Sequence, residues 1–231
     1  LANNQQTKCR VGETDNKEEY QSSLLGGFQE VHTDLEKADR VYQAIRRKIS
    51  YMDLRRIYKC FLSTVPDKEM ILLRYIVLGF HIGSGISKLH GNPDVFAAQK
   101  IEKKINVEAE RMRQFVRFSV MQGDILYARI EPDHDVLELI GDHFSDRFRN
   151  DPFLIHDVRR GKAMAGYQGK WYITGFAEND VPEESEEEKE YQTLWQKYFD
   201  HIAIKERKNS NCQRNFMPLR YRKHLTECQM R

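Results

Sequence analysis

What most constrains the fold of this chain is a change of hydrophobic period near residue 115. Before it, apolar residues recur at helical spacing. Thr33-Asp34-Leu35-Glu36 has the form of a capping box, and it opens a stretch in which Leu35, Ala38, Val41, Tyr42, Ile45 and Ile49 share one face. A second helix, about Asp53 to Leu62, buries Leu54, Ile57 and Phe61. A third, starting at Pro66-Asp67, is apolar nearly all round and reads as the central core helix. After Gly91-Asn92-Pro93 a fourth runs to about Arg113 with Val95, Ala98, Ile101, Ile105, Ala109 and Met112 inward. Beyond that point the pattern alternates. Phe115 to Met121 and Ile125 to Ile130 flank Gln122-Gly123-Asp124, which signals a hairpin. Pro132-Asp133 starts a helix to about Phe148, with Val136, Leu137, Ile140, Phe144 and Phe148 on its inner face. Strands then follow at 153–158, 162–167 and 170–176, the last two joined by Gln168-Gly169. Finally, Tyr191, Leu194, Trp195, Tyr198 and Ile202 fall in register on a last helix.

A helical N-terminal half, an antiparallel sheet of about five strands with a covering helix, and a helical basic C-terminus define an α+β class. The expected organisation is a poorly ordered lead-in over residues 1–32, a helical subdomain over 33–114, and a sheet subdomain with the final helix and tail over 115–231, packed as one compact unit. The chain opens at Leu1 rather than Met, so further N-terminal residues are expected to precede it.

Composition narrows the class. Hydrophobic residues at 40% and aromatics at 11% exclude a disordered chain. No apolar run reaches the roughly 20 residues of a membrane span, since Arg74 interrupts the best one at 70–80. No secretory signal is visible, and Cys9, Cys60, Cys212 and Cys228 form no closely spaced pair, so a cytoplasmic protein with free thiols and no membrane partner is expected. The same spacing excludes an iron–sulfur cluster within the chain. The net charge of +2 hides segregation: eight acids lie between Glu178 and Glu190, and eight bases between Lys205 and Arg231. Such a basic block is the usual footprint of a polyanion, although it can also fold back onto acidic residues.

The hairpin register follows from its faces. With Met121 opposite Ile125, Val116, Phe118 and Val120 join Leu126, Ala128 and Ile130 on one apolar face. The other face then carries Phe115, Arg117, Ser119, Tyr127, Arg129 and Glu131, with Arg117 across from Arg129. Opposed like charges repel unless an anion lies between them or a carboxylate neutralises them. A phosphate would serve, and Phe115 and Tyr127 would then stack on bases. On the covering helix, His143 and Arg147 are four residues apart and share a face suited to a phosphate. Arg159 and Arg160 occupy a strand connection. Asp133, His134, Asp135, Asp142, His143, Asp146, His156 and Asp157 crowd one segment without the spacing of a strong metal motif. No Gly-rich phosphate loop and no serine or cysteine nucleophile with a base beside it is visible, so no catalytic residue, metal ligand or cofactor is assigned.

The tail, Gln213, Phe216-Met217-Pro218, Arg220-Tyr221, Lys223-His224-Leu225 and Glu227, interleaves cations and aromatics. It resembles the closing motif of a bacterial family known as "probable DNA metabolism protein". Further matching blocks are Thr33-Asp34 with Glu36-Lys37-Ala38, Phe115-Val116-Arg117-Phe118, Pro132-Asp133 with Leu137 and Ile140, His143-Phe144 with Arg147, Ile155-His156-Asp157 with Arg159, and Trp195 with Tyr198-Phe199. Ser210 stands where the family usually has Pro and Arg222 where it usually has Trp. An additional N-terminal strand and helix of the family are missing here. The resemblance implies a role in DNA metabolism or repair beside a radical-SAM protein or a uracil-DNA-glycosylase-like domain. The resulting expectation is a non-catalytic accessory protein that binds nucleic acid, most readily DNA, through Arg117, Arg129, His143, Arg147, Arg159, Arg160, Arg220, Tyr221, Lys223 and His224. The alternatives are a metal-dependent hydrolase or nuclease using His143, Asp146, Asp142 and His156, and a protein-interaction scaffold without nucleic acid.

Overall fold

The computed structural model describes residue 11 and residues 31–202 and 209–228. Most of the lead-in, together with Lys205, Arg207, Lys208 and Arg231 of the basic block, lies outside the described residues. The chain divides between Ile105 and Asn106 into two compact units.

The first unit is helical. Helix α1 (Leu35–Lys48) is capped by Asp34, which accepts from the Lys37 N–H at 3.0 Å, one residue later than the capping-box pattern implies. Helix α2 (Tyr51–Phe61) is capped by Ser50. Helix α3 (Lys68–Ile82) continues into a 3-10 segment, Gly83–Lys88. Together, Lys68–Lys88 is long and apolar enough to cross a membrane by length and composition, so Arg74 does not break the run as expected. The helix is also less central than expected: only Tyr75 and Gly79 of α3 are buried. Those two sit where neighbours reach it. Tyr75 donates to the buried Asp53 at 2.6 Å, and a Cβ on Gly79 would lie 2.5 Å from the Ile49 side chain. Burial pushes the Asp53 carboxyl up, but hydrogen bonds from Ser50, Ser87 and Tyr75 outweigh it and hold the group below the usual carboxylate range.

Helix α4 (Pro93–Phe115) starts at Asn92, whose side chain accepts from the Asp94 and Val95 N–H groups. All six positions expected inward on it are buried.

The second unit is built on a five-stranded sheet in the order β1 (Ser119–Met121), β2 (Ile125–Ile130), β3 (Phe153–Asp157), β4 (Lys162–Tyr167) and β5 (Lys170–Gly175). The class is α+β as expected, with one correction. The sheet is mixed, because β2 and β3 pair in parallel. Helix α5 (Leu137–Arg147) connects them, and a strand, helix and strand in succession return the chain in its original direction. The hairpin register is the expected one, with Met121 opposite Ile125 and Ser119 opposite Tyr127. At the tight turn between β4 and β5, Gln168 and Gly169 both have positive φ, 53° and 71°, as a two-residue hairpin loop demands.

Helix α5 packs on β4 and β5 and buries Leu137, Ile140 and Phe144. Two glycines make room here, Gly141 where α5 meets β5 and Gly166 where β4 faces β3. A Cβ on Gly141 would lie 2.5 Å from the Trp171 ring, and one on Gly166 would lie 2.2 Å from the Phe153 ring. The start of α5 differs from the expected Pro132-Asp133. The N–H groups of Asp133 and His134 donate to Glu108, and the carbonyls of Pro132 and Asp133 accept from Arg160, so this backbone is engaged elsewhere and forms a turn. The acidic stretch is likewise no free linker. Residues 183–185 pair along the outer edge of β1, and helix α6 (Glu186–Ile202) begins within it. After α7 (Ser210–Phe216), the tail forms 3-10 turns, and the one at Leu219–His224 rests against β2.

Candidate nucleic-acid interface

The tail is anchored by a carboxylate on α4. Glu108, buried among apolar neighbours, accepts from the Tyr221 hydroxyl at 2.6 Å and from the backbone N–H groups of Asp133 and His134 at 2.8 Å each. Burial, with Glu108 beside it, pushes the Tyr221 phenol up to about 12, so it stays a donor. Tyr221 and Leu225 are both buried, and burying two such side chains contributes roughly 1.5–3 kcal/mol each. Tyr221 is therefore an anchor, and its ring is not offered to a ligand.

Around this anchor the fold gathers cations from distant parts of the sequence. Arg220, beside Tyr221, reaches Asp133 at 3.0 Å, and Arg159 reaches the same carboxylate at 3.7 Å from the turn between β3 and β4. Lys223 and His224 meet on Glu131, at 2.6 and 3.1 Å. A carboxylate can only accept, so His224 Nε2 carries the proton. Burial lowers the His224 pKa despite Glu131, while the hydrogen bond from Lys223 holds the Glu131 carboxyl below its usual range. Lys223 is thus the charged partner of Glu131 and His224 a neutral one.

The opposed arginines take separate carboxylates. Arg117 lies just outside the β1 ladder and donates to the nearly buried Glu227 at 3.0 Å, while Arg129 pairs with Glu178. The sheet face between them is not an open stacking platform. Tyr127 is buried and shares a 2.9 Å hydrogen bond with His156 Nδ1, and Phe115 lies against Tyr221 with ring centroids 6.3 Å apart. Burial lowers the His156 pKa and pushes Tyr127 up to about 12, so both are neutral near pH 7. A polar cavity of about 90 Å³ remains here, lined by Arg117, Tyr127, Arg129, Glu184, Gln192 and His224 among others.

Arg160 is structural. It bonds the fully buried Asp157 at 2.8 Å and the carbonyls of the 132–133 turn, while burial pushes the Asp157 carboxyl up against the pull of Arg160. His143 and Arg147 are exposed on α5 and contact Phe144 and Phe148 rather than the tail.

The segment rich in Asp and His is dispersed. Asp142 accepts from the Trp171 indole, His156 faces Tyr127, and Asp135 pairs with Lys162. Among the described residues, no three His, Cys, Asp or Glu side chains converge as a metal ion would need. The carboxylates that organise the cluster do not stand out in the sequence. For Glu108 a signal exists, since it is an acid within the buried stripe of Ile101, Ile105, Ala109 and Met112.

The fold and cluster define an α+β domain whose basic-aromatic tail rests against β2 and is tied to α4 by the buried carboxylate of Glu108. Residues 66–227 match the family described as a domain of unknown function, DUF4130, and the chain belongs to that family. No curated protein and no solved structure matches the chain.

Proposed function

We propose that this protein is a non-catalytic accessory protein that binds nucleic acid through the exposed cations Arg159, Arg220 and Lys223, extended by Arg129 and by the α5 pair His143 and Arg147. The observation that carries the reading is that Arg159 and Arg220 converge on the single carboxylate Asp133, beside Lys223 on Glu131. Three cations thus meet two carboxylates. The side chains of Arg159, Arg220 and Lys223 are 57%, 49% and 65% exposed, and exposed ion pairs of this kind contribute about 0–1 kcal/mol. A phosphate can exchange for either carboxylate at little cost, as it cannot at the more buried Arg117–Glu227 and Arg160–Asp157 pairs. The resemblance of the tail to the "probable DNA metabolism protein" family favours DNA as the nucleic acid and a radical-SAM or uracil-DNA-glycosylase-like protein as the associate.

Asp133→Asn supplies the test. It removes the carboxylate that both arginines share while leaving the backbone N–H that Glu108 holds, so it should tighten binding of a labelled DNA oligonucleotide several-fold. Unchanged or weaker binding by a folded Asp133→Asn protein would contradict this placement of the interface.

A further inference from the structure

Helix α6 presents a face that the described residues of its own unit do not cover. Tyr191, Leu194, Trp195, Tyr198 and Ile202 share that face, and each is between 44% and 65% exposed, although such a stripe normally marks the buried side of a helix. The helix itself is held in place along the adjoining side, at one rim of that face. Glu188 accepts from the Val120 N–H at 3.0 Å, Gln192 donates to Ser119 and Glu188, and Gln196 donates to the Thr226 carbonyl at 3.1 Å. All of the stripe but Ile202 lines a groove of about 460 Å³, together with Phe118, Arg117, Thr226, Glu188 and Gln192. A fixed apolar groove of this size is suited to a docked side-chain row.

Charge selects the occupant. At the amino end of the stripe Glu183, Glu186, Glu187 and Glu190 are exposed, and Glu184 and Glu188 lie beside them. Lys189 is tied to Glu186 at 2.9 Å. One or two acids complement the dipole of α6, but this many repel one another until a cation approaches. Phosphates would meet the same repulsion, whereas Lys or Arg side chains would be drawn to the carboxylates and to the faces of Tyr191, Trp195 and Tyr198.

We propose that the α6 groove docks a basic amphipathic helix of a partner protein, its apolar positions on the stripe and its cations against the acidic end. This site does not use the cations of the nucleic-acid reading and stands independently of it. The probe is a labelled model helix of leucine and lysine at amphipathic spacing, with a leucine and glutamate helix of the same pattern as its counterpart. The lysine helix should bind and the glutamate helix should not. Trp195→Ala with Tyr198→Ala should weaken binding about tenfold, as loss of aromatic anchors does. Glu187→Gln with Glu190→Gln, at exposed positions where the fold is indifferent, should weaken it several-fold and flatten its salt dependence. Equal binding of both helices, or binding untouched by the glutamine pair, would overturn the proposal. So would displacement of the helix by a single-stranded oligonucleotide, which would assign the groove to bases, or self-association in sedimentation that Trp195→Ala abolishes, which would assign it to a second copy.

Discussion

Glu108 occupies a position where the period of α4 calls for an apolar side chain, and three donors compensate its burial. Such residues decide where the tail sits, yet sequence reasoning favours what stands out, here the cations. The cationic half of the cluster is legible because Arg and Lys interleaved with aromatics are conspicuous. Its carboxylate partners are much less so: Glu108 shows only as an acid in an apolar stripe, and a Glu–Tyr contact across 113 positions leaves no local pattern to say what it holds. At this scale the histidines yield a pH prediction. Burial depresses the pKa of both His156 and His224, so the unfolded chain binds protons that the folded one refuses. Their contribution to stability is complete above the ordinary imidazole value and is lost as pH falls below it. The thermal midpoint should therefore drop between about pH 7.5 and about pH 6, the range in which an ordinary imidazole charges. A midpoint that is flat or rises on acidification through this range would contradict the burial described. Asp157, with its raised pKa, has the opposite sign and acts nearer the carboxylate range.

Among the elements, alternation specifies the hairpin register because slipping by one residue would expose its apolar face. The parallel β2–β3 pairing is harder to read from alternation alone, although the helix between the two strands is its signature. Helical spacing places the α6 stripe in register, but periodicity marks which residues share a face and not whether anything covers it. The close approach of β3 to β4 gives a sharper test. Gly166→Ala would push a methyl into the Phe153 ring, which is itself confined by Phe148 at 6.0 Å between centroids. Overpacking of this kind should cost about 1–3 kcal/mol, measured as a lower urea midpoint with unchanged slope. A substitution without effect would mean that the sheet and α5 pack more loosely than described.

For the whole molecule, the division at Ile105–Asn106 makes each unit a separate packing problem. In the second, the tail is both the candidate ligand surface and part of the core, since Tyr221 and Leu225 are buried in it. Truncation before Asn209 should therefore destabilise this unit by several kcal/mol, roughly the burial of two large side chains and the loss of the Glu108 network, and be seen as an earlier thermal transition. An unchanged transition would show that the tail only decorates the surface. For the same reason truncation cannot separate binding from folding, and exposed single residues must be used. The most direct measurement is the salt dependence of DNA binding by fluorescence anisotropy, comparing wild type with Arg159→Ala/Arg220→Ala/Lys223→Ala. A phosphate-binding cluster predicts affinity that falls steeply with salt in the wild type, and a log–log slope smaller by about one for each phosphate that the variant no longer neutralises. Equal slopes for the two proteins, or no binding by wild type at low salt, would contradict the account.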